Sequence, residues 1–370
     1  MNKIDPGFAE RLKKYGAVDI NACYNCGNCT AICPLSDENN SFPRKMLRAS
    51  VLGADEKIEI SLDPWLCYYC GECTDTCPRE ANPGELMMSL RRYLISVYDW
   101  TGLSKLFYTK KIWELIFILI MAAVVVGLFI VFFPMEKIAG FSSYIGNEEF
   151  VHWVEIGDWV MAATIGGLLI TNILRMWYKT IIKSKVKVPV VAYITEFFNL
   201  ILHFVTQIRF KKCDASGRRY WVFHLLIMTG YTIMFIMIVG LLPWFQTAEV
   251  NAWHHPQRLL GYYATFGLLT GLTIVIVQRI KKYNARTEYS HYSDWMFLIL
   301  LYLTTVTGIL VHIFRLVELD QATFYIYVVH LAVLVPMLVI EVPFSKWSHL
   351  AYRPFAVYFD KLKAKAKAKS

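Results

Sequence analysis

The sequence predicts an all-α protein in two parts: a small, cysteine-rich helical domain, then a six-span transmembrane helical bundle. Three observations carry that prediction. Two cysteine quartets, "CYNCGNCTAICP" at 23–34 and "CYYCGECTDTCP" at 67–78, repeat one spacing near the start of the chain. Beyond residue 110 the apolar residues gather into six blocks of membrane-spanning length. Hydrophobic residues make up 56% of the 370 positions and charged ones only 18%, a balance rarely met in a soluble protein of this size. The net charge of +9 is uneven, because residues 1–100 hold 11 Lys/Arg against 14 Asp/Glu. The basic excess lies wholly in the second part, where lipid headgroups would attract it. It flanks apolar helices, so a nucleic-acid partner is not expected.

The quartets come first in the chain. The opening residues, "MNKIDPGFAERLKKYG", are polar and lack an apolar signal core, so this domain is expected to stay in the cytoplasm. In that reducing compartment clustered cysteines read as metal ligands rather than disulfides. Eight of the nine cysteines belong to the quartets, and Cys213 stands apart as an ordinary surface thiol. Both quartets follow C-x2-C-x2-C-x3-C-P, so the domain resembles a two-cluster ferredoxin, where each fourth cysteine of this run ligates the other cluster. Three thiolates from a tight loop cap three corners of an iron–sulfur cube, and the fourth ligand arrives from elsewhere. Cys23, Cys26, Cys29 and Cys77 are therefore expected around one 4Fe–4S cluster, and Cys67, Cys70, Cys73 and Cys33 around the other. Gly27 and Gly71 would let backbone N–H groups approach the sulfurs. A pair of structural zinc sites is the alternative, since these also use C-x2-C pairs. Helices are expected near "FPRKMLRASVLG" and from about Pro83 to Gly102, closing a domain at 1–105 whose small core leans on its clusters.

The membrane domain, 106–350, is expected to cross at about 112–133, 154–177, 220–242, 259–278, 295–317 and 322–342, with Pro134 and Pro243 ending two spans on one side. A further apolar stretch, about 188–208, carries Glu196, Asn199, His203 and Gln207 at helical spacing and reads as a helix lying on the membrane surface. A basic tail, 351–370, completes the chain. The connections at 179–219, 279–294 and 343 onward carry nine, four and seven Lys/Arg, whereas the opposite loops carry only Lys137 and Arg258. The positive-inside rule then puts the iron–sulfur domain and both termini in the cytoplasm of a cytoplasmic-membrane protein.

Electron transfer into lipid requires a carrier there, and intramembrane histidines are costly enough to suggest one. His224, His312 and His330 fall within spans, and His349 lies just past the last. At about 1.5 Å per residue they sort by depth into an inner pair, His224 with His349, and an outer pair, His312 with His330. Two haems b, each with two axial ligands, would fit. A lone histidine bonding a neighbouring helix is the plainer reading of each. Arg315, one turn after His312, could meet a haem propionate or snorkel to headgroups. His152 reads as interfacial, and His203 and His291 as cytoplasmic surface residues. Glu249, His254 and His255 in an outer loop are quinol-site candidates, since quinol oxidation needs proton acceptors.

The end of the sixth span, "HLAVLVPMLVIEVPFSKWSH", resembles the last helix of the nitrate reductase gamma-subunit family of di-haem, quinol-oxidising cytochromes b. Pro343, Phe344, Ser345, Lys346 and His349 match its closing pattern. His330 takes the upstream ligand position with one extra residue near Pro336. The span starting "RRYWVFH" resembles the family's second histidine-bearing helix and puts His224 opposite His349. That helix's outer histidine falls at Met234 here, which leaves His312 as the first candidate partner of His330, with Met234 and His255 behind it. The whole chain resembles a heterodisulfide reductase C-like iron–sulfur domain fused to an E-like cytochrome b, as in the membrane subunits of quinone-interacting membrane-bound oxidoreductases. That resemblance implies electron passage between menaquinol and cytoplasmic flavin and iron–sulfur subunits, and from them to adenylylsulfate reductase in sulfate reduction. The alternatives are the membrane arm of a heterodisulfide-reductase-like complex and a haem-free anchor for an iron–sulfur docking module. No Rossmann fingerprint or P-loop occurs, so substrate chemistry beyond the quinone's falls to partners.

Overall fold

In a computed structural model describing residues 4–133, 135–207 and 217–367, each quartet is a loop running into a short helix. Glycine at the same place in both makes this possible. Gly27 and Gly71 each adopt φ +96°, a conformation L side chains rarely enter, directly before the helices Asn28–Ile32 and Glu72–Asp75. Two residues earlier, Asn25 (φ 57°) and Tyr69 (φ 55°) also match, so the sequence repeat is a backbone repeat. The helix Pro83–Tyr98 packs beneath both loops, with Leu86, Met87, Leu90 and Leu94 in the core beside Trp65, Leu47 and Ile58.

The chain is helical throughout its regular structure, with no strand among the described residues. Six helices are long and apolar enough to cross a membrane: Lys111–Phe132, Glu148–Ile182, Arg219–Gly240, Pro256–Ile280, Tyr292–Leu316 and Asp320–Phe344. All six expected spans are present, most of them longer than their apolar cores suggested. The second runs on through a π turn, Tyr178–Ile182. Pro134 and Cys213 lie outside the described residues. Along the first span only Glu114, Ile118 and Val125 are buried, and the apolar side chains facing outward suit lipid rather than water.

The third and fourth spans touch through glycine. A Cβ on Gly271 would come within 2.4 Å of Ile227 and 3.2 Å of the Phe223 carbonyl, and one on Gly267 within 3.0 Å of the Leu226 carbonyl. Gly267 and Gly271 form a small-xxx-small stripe that lets two backbones approach where no hydrophobic effect drives them together.

One end of the bundle shares its core with the iron–sulfur domain; it is called the inner end below. Met176, Ile181 and Tyr352 belong to the same buried cluster as Phe8, Trp65 and Tyr98. The segment read as a basic tail is in fact a helix, His349–Lys367, with Tyr352, Ala356, Phe359 and Leu362 buried in that core. Tyr352 packs on Trp65 at 5.3 Å and on Tyr98 at 5.5 Å.

The stretch expected as one surface helix is two, Val190–Thr195 and Phe197–Thr206, and its orientation differs from expectation. Glu196, His203 and Gln207 turn inward and are buried, while Val191, Ile194, Phe198, Leu202 and Val205 point out. A carboxylate, an imidazole and an amide find partners only in the protein if the outer surroundings are lipid, which explains the inversion. His203 is therefore not a surface residue. Nor is His291: it stacks on Tyr292 at 4.0 Å between the iron–sulfur domain and the fifth span, where burial, then the Arg92 charge, pulls its pKa down to about 3 against the opposing pull of Asp294.

A buried charge network joins the two parts. Arg92 of the iron–sulfur domain pairs with Glu85 (3.0 Å) and with Asp294 of the fifth span (2.8 Å), and all three side chains are 2–4% exposed. Lys346 reaches the other Asp294 oxygen at 2.7 Å, and Arg92 also donates to the Tyr15 carbonyl. Burial alone would lower the Arg92 pKa, but Asp294 and Glu85 outweigh it and keep the guanidinium charged. Arg92→Met leaves two buried carboxylates short of a partner and is expected to cost about 3–5 kcal/mol. Limited proteolysis of the full chain in detergent should then release the iron–sulfur domain faster than in the wild type.

Candidate functional site

Four thiols meet around each of two hollows, and the grouping crosses between the quartets. One hollow is lined by Cys23, Cys26, Cys29 and Cys77, with Arg44, Arg79 and Leu47 around it. The other is lined by Cys67, Cys70, Cys73 and Cys33, with Phe42, Pro43 and Met87. Backbone N–H groups point at the sulfurs from equivalent places, Asn25 to Cys23 and Tyr69 to Cys67, both at 3.3 Å, and Ala81 to Cys77 at 3.4 Å. Such bonds favour the thiolate.

The thiols are crowded and screened from water. Burial raises Cys33 to about 11, with Cys67, Cys70 and Cys29 adding to it and the Leu35 N–H opposing. Burial, then Cys67, Cys70 and Cys33, push Cys73 further still. Cys29 is raised by burial and by Cys23, Cys26 and Cys77. Four thiolates so placed repel one another unless positive charge stands between them, as the iron of a cluster would. Among the described residues no three His, Cys, Asp or Glu side chains converge as they would on a single metal ion; the thiols ring their hollows instead. The donor set fits 4Fe–4S clusters.

The second hollow abuts the bundle. Arg286, from the loop before the fifth span, donates to the Cys70 carbonyl at 2.9 Å. Arg353, on the C-terminal helix, donates to the Cys67 carbonyl at 3.3 Å, and Arg91 to the same oxygen at 2.5 Å. Arg353 follows His349 by four residues, one helical turn.

His349 lies near His224 at the inner end, with Arg353 beside both. His224 sits roughly 7–8 Å into the third span. His349 is part-exposed at one edge yet surrounded by protein; burial, with Lys346, His224 and Arg353 adding to it, lowers it to about 3 and keeps it neutral. Its Nδ1 donates to the Lys346 carbonyl at 2.6 Å, which leaves the lone pair on Nε2, as a metal-bound histidine requires. His203, buried on the helix before the third span, joins this group against His224. Sequence reasoning missed it, although its place on the polar stripe was visible.

Toward the far end, His330 meets Thr307, Nδ1 to Oγ1 at 2.9 Å. Thr307 spends its own proton on the Leu303 carbonyl, so the histidine is the donor and its lone pair is again on Nε2. A Cβ at Gly308 would stand 3.2 Å from the His330 ring, so the ring rests on bare helix backbone. His312 differs. Arg258 donates to its Nδ1 at 2.9 Å and the Tyr262 hydroxyl lies 2.9 Å from Nε2, which occupies both nitrogens. His312 faces the fourth span, and the expected pairing with His330 is not assembled. Met234 is half-buried on the third span. Arg315 spends donors on the protein itself. It donates to the Ser142 carbonyl (3.0 Å), to Ala248 (2.8 Å) and to Thr247, pinning two far-end connections. Glu249 and His254 are exposed, and His255 stands at the N-cap position of the fourth span with its ring 6.1 Å from that of Trp244.

The similarities to known proteins fall on the thiol region. Residues 19–81, which contain all eight quartet cysteines, match the 4Fe-4S dicluster domain family. Over 97 residues the chain is 33% identical to a protein of Archaeoglobus profundus that is itself like the C subunit of heterodisulfide reductase, covering 26% of this chain and 52% of that relative. The chain thus spans about half the length of the relative it matches. No solved structure matches. The first part of this multi-pass helical chain is an iron–sulfur domain similar to the C subunit of heterodisulfide reductase, with an electron-transfer role.

Proposed function

We propose that the chain is the membrane subunit of a quinone oxidoreductase complex, passing electrons between menaquinol and cytoplasmic flavin and iron–sulfur subunits. Cys23, Cys26, Cys29 and Cys77 hold one 4Fe–4S cluster, and Cys67, Cys70, Cys73 and Cys33 the other. His224 and His349 hold an inner haem b, and His330 is the ligand of an outer one. His312 would have to leave Arg258 and Tyr262 to serve there. When bound, these groups are one-electron carriers. The observation that carries the reading is Arg353, one turn from His349 and bonded to the Cys67 carbonyl, which ties the histidine pair to a thiol ring. That contact makes the Cys67-containing site the one next to the membrane and the Cys23-containing site the one toward partners. By the resemblance above, the final acceptor is adenylylsulfate reductase. The domains are 1–105 for the clusters and 106–350 for the haems, with the terminal helix docked on the first.

The similarity to a relative of the heterodisulfide reductase C subunit favours a second reading, the membrane arm of a complex with thiol–disulfide chemistry in a partner. Both readings share the internal path. To test it, a reduced menaquinone analogue is mixed with the full chain in lipid discs. Appearance of the reduced haem spectrum together with the paramagnetic signal of reduced clusters is expected; an oxidised spectrum throughout would count against quinol as donor.

A further inference from the structure

Two carboxylic acids at the inner end of the bundle belong to none of the groups above. Glu114 stands one turn into the first span. Glu341 closes a π turn, Met337–Glu341, that follows Pro336 in the sixth. Both are completely buried. The Ser345 hydroxyl donates to one Glu114 oxygen at 2.5 Å. The other Glu114 oxygen and both Glu341 oxygens make no hydrogen bond of normal geometry. Facing Glu341 are the Glu114 carboxyl, within hydrogen-bonding reach, the Ser345 hydroxyl and the Lys346 backbone N–H.

The charged groups around the pair are engaged elsewhere. Asp294 of the fifth span takes Lys346 and Arg92, with Arg279 at 3.9 Å. Tyr292 donates to the Phe107 carbonyl, and the Tyr108 hydroxyl, buried beside both glutamates, has no partner. Two acceptors can face one another only across a proton, and two bare carboxylates in a dry site would repel strongly. Acids placed inside a membrane bundle are rare and expensive.

We propose that Glu114 and Glu341 are a proton-sharing pair, which holds one proton at rest and takes up a second from the inner side when an electron reaches the neighbouring redox centre. The uptake half rests on the haem reading above; the sharing half does not. The proton comes from water on that side, the electron from quinol, and the bond made is a carboxyl O–H that breaks again on reoxidation. Ser345 bonds Glu114, and the next residue, Lys346, is partly exposed.

The test uses infrared spectra of the full chain in lipid discs, with haem content measured on the same samples. The oxidised wild type is expected to show a protonated-carboxyl stretch that shifts in deuterium oxide. Glu114→Gln and Glu341→Gln should each remove it, Glu341→Asp should keep it, and Asp320→Asn at the far end should leave it alone. Reduction should strengthen the band in the wild type and not in Glu341→Gln. A wild type without the band, or a band untouched by both glutamine substitutions, overturns the pair. A band present but unchanged on reduction of haem-loaded protein overturns the uptake. The same result in protein without haem contradicts the haem reading and leaves the pair standing.

Discussion

Replacing Cys77 with serine is expected to remove the cluster bordered by Cys23, Cys26 and Cys29, and to spare the one held by Cys77's own sequence neighbours. Iron should fall from about eight to about four atoms per chain. The surviving signal should be that of the site touched by Arg353 and Arg286. Cys33→Ser should do the reverse, losing the Cys67, Cys70 and Cys73 site. The crossover follows from the hollows, where Cys77 lines the first and Cys33 the second. Serine keeps the size but offers a far poorer ligand, so the effect is loss of a whole group rather than a shift in affinity. Paramagnetic resonance of the reduced variants identifies which site survives. If Cys77→Ser emptied the Cys67-containing site instead, each quartet would be self-contained and the crossed arrangement wrong.

His349→Ala is expected to remove one haem of about two per chain, the inner one. His224→Ala should remove the same one, because the two imidazoles share a place at the inner end. Neither substitution should lower the iron of the clusters. His330→Ala should remove the other haem. His312→Ala is expected to keep both, since Arg258 and Tyr262 already occupy its nitrogens, and to lower stability by about 1 kcal/mol through a half-buried arginine left short of an acceptor. Haemochrome spectra of the four purified variants check this. A His312→Ala chain lacking one haem would return that residue to the outer site.

Much of this arrangement was readable in the sequence, for physical reasons. Cluster ligands sit at fixed short spacings, and the glycine in each loop is dictated by a positive φ, so Cys23–Cys33 and Cys67–Cys77 announced themselves. Spans are long and apolar whatever they pack against. Pro336, where the sequence carries one residue more than the pattern it resembles, is followed by a π turn, Met337–Glu341.

What the sequence hid depends on partners far along the chain. Arg92 and Asp294 are separated by 202 residues, and neither alone signals a buried ion pair. His203 and the stripe it belongs to looked solvent-facing because polar faces usually are; the docking of His349–Lys367 and the apolar outer side reverse that. His312 looked like a ligand because its depth fitted, yet its ring is turned to the fourth span. Depth follows from counting residues, but the direction of a side chain around a helix depends on which neighbour receives it. Arg315 resolved in a third way, onto backbone carbonyls that no motif marks.

The central claim is that one chain holds both carriers, two clusters on thiols and two haems on histidines within the spans. The most direct test is the amount of haem b and of non-haem iron per purified chain, by haemochrome spectrum and iron assay. About two haems and about eight non-haem irons are expected. Iron without haem would contradict the account, leaving a membrane anchor for an iron–sulfur module.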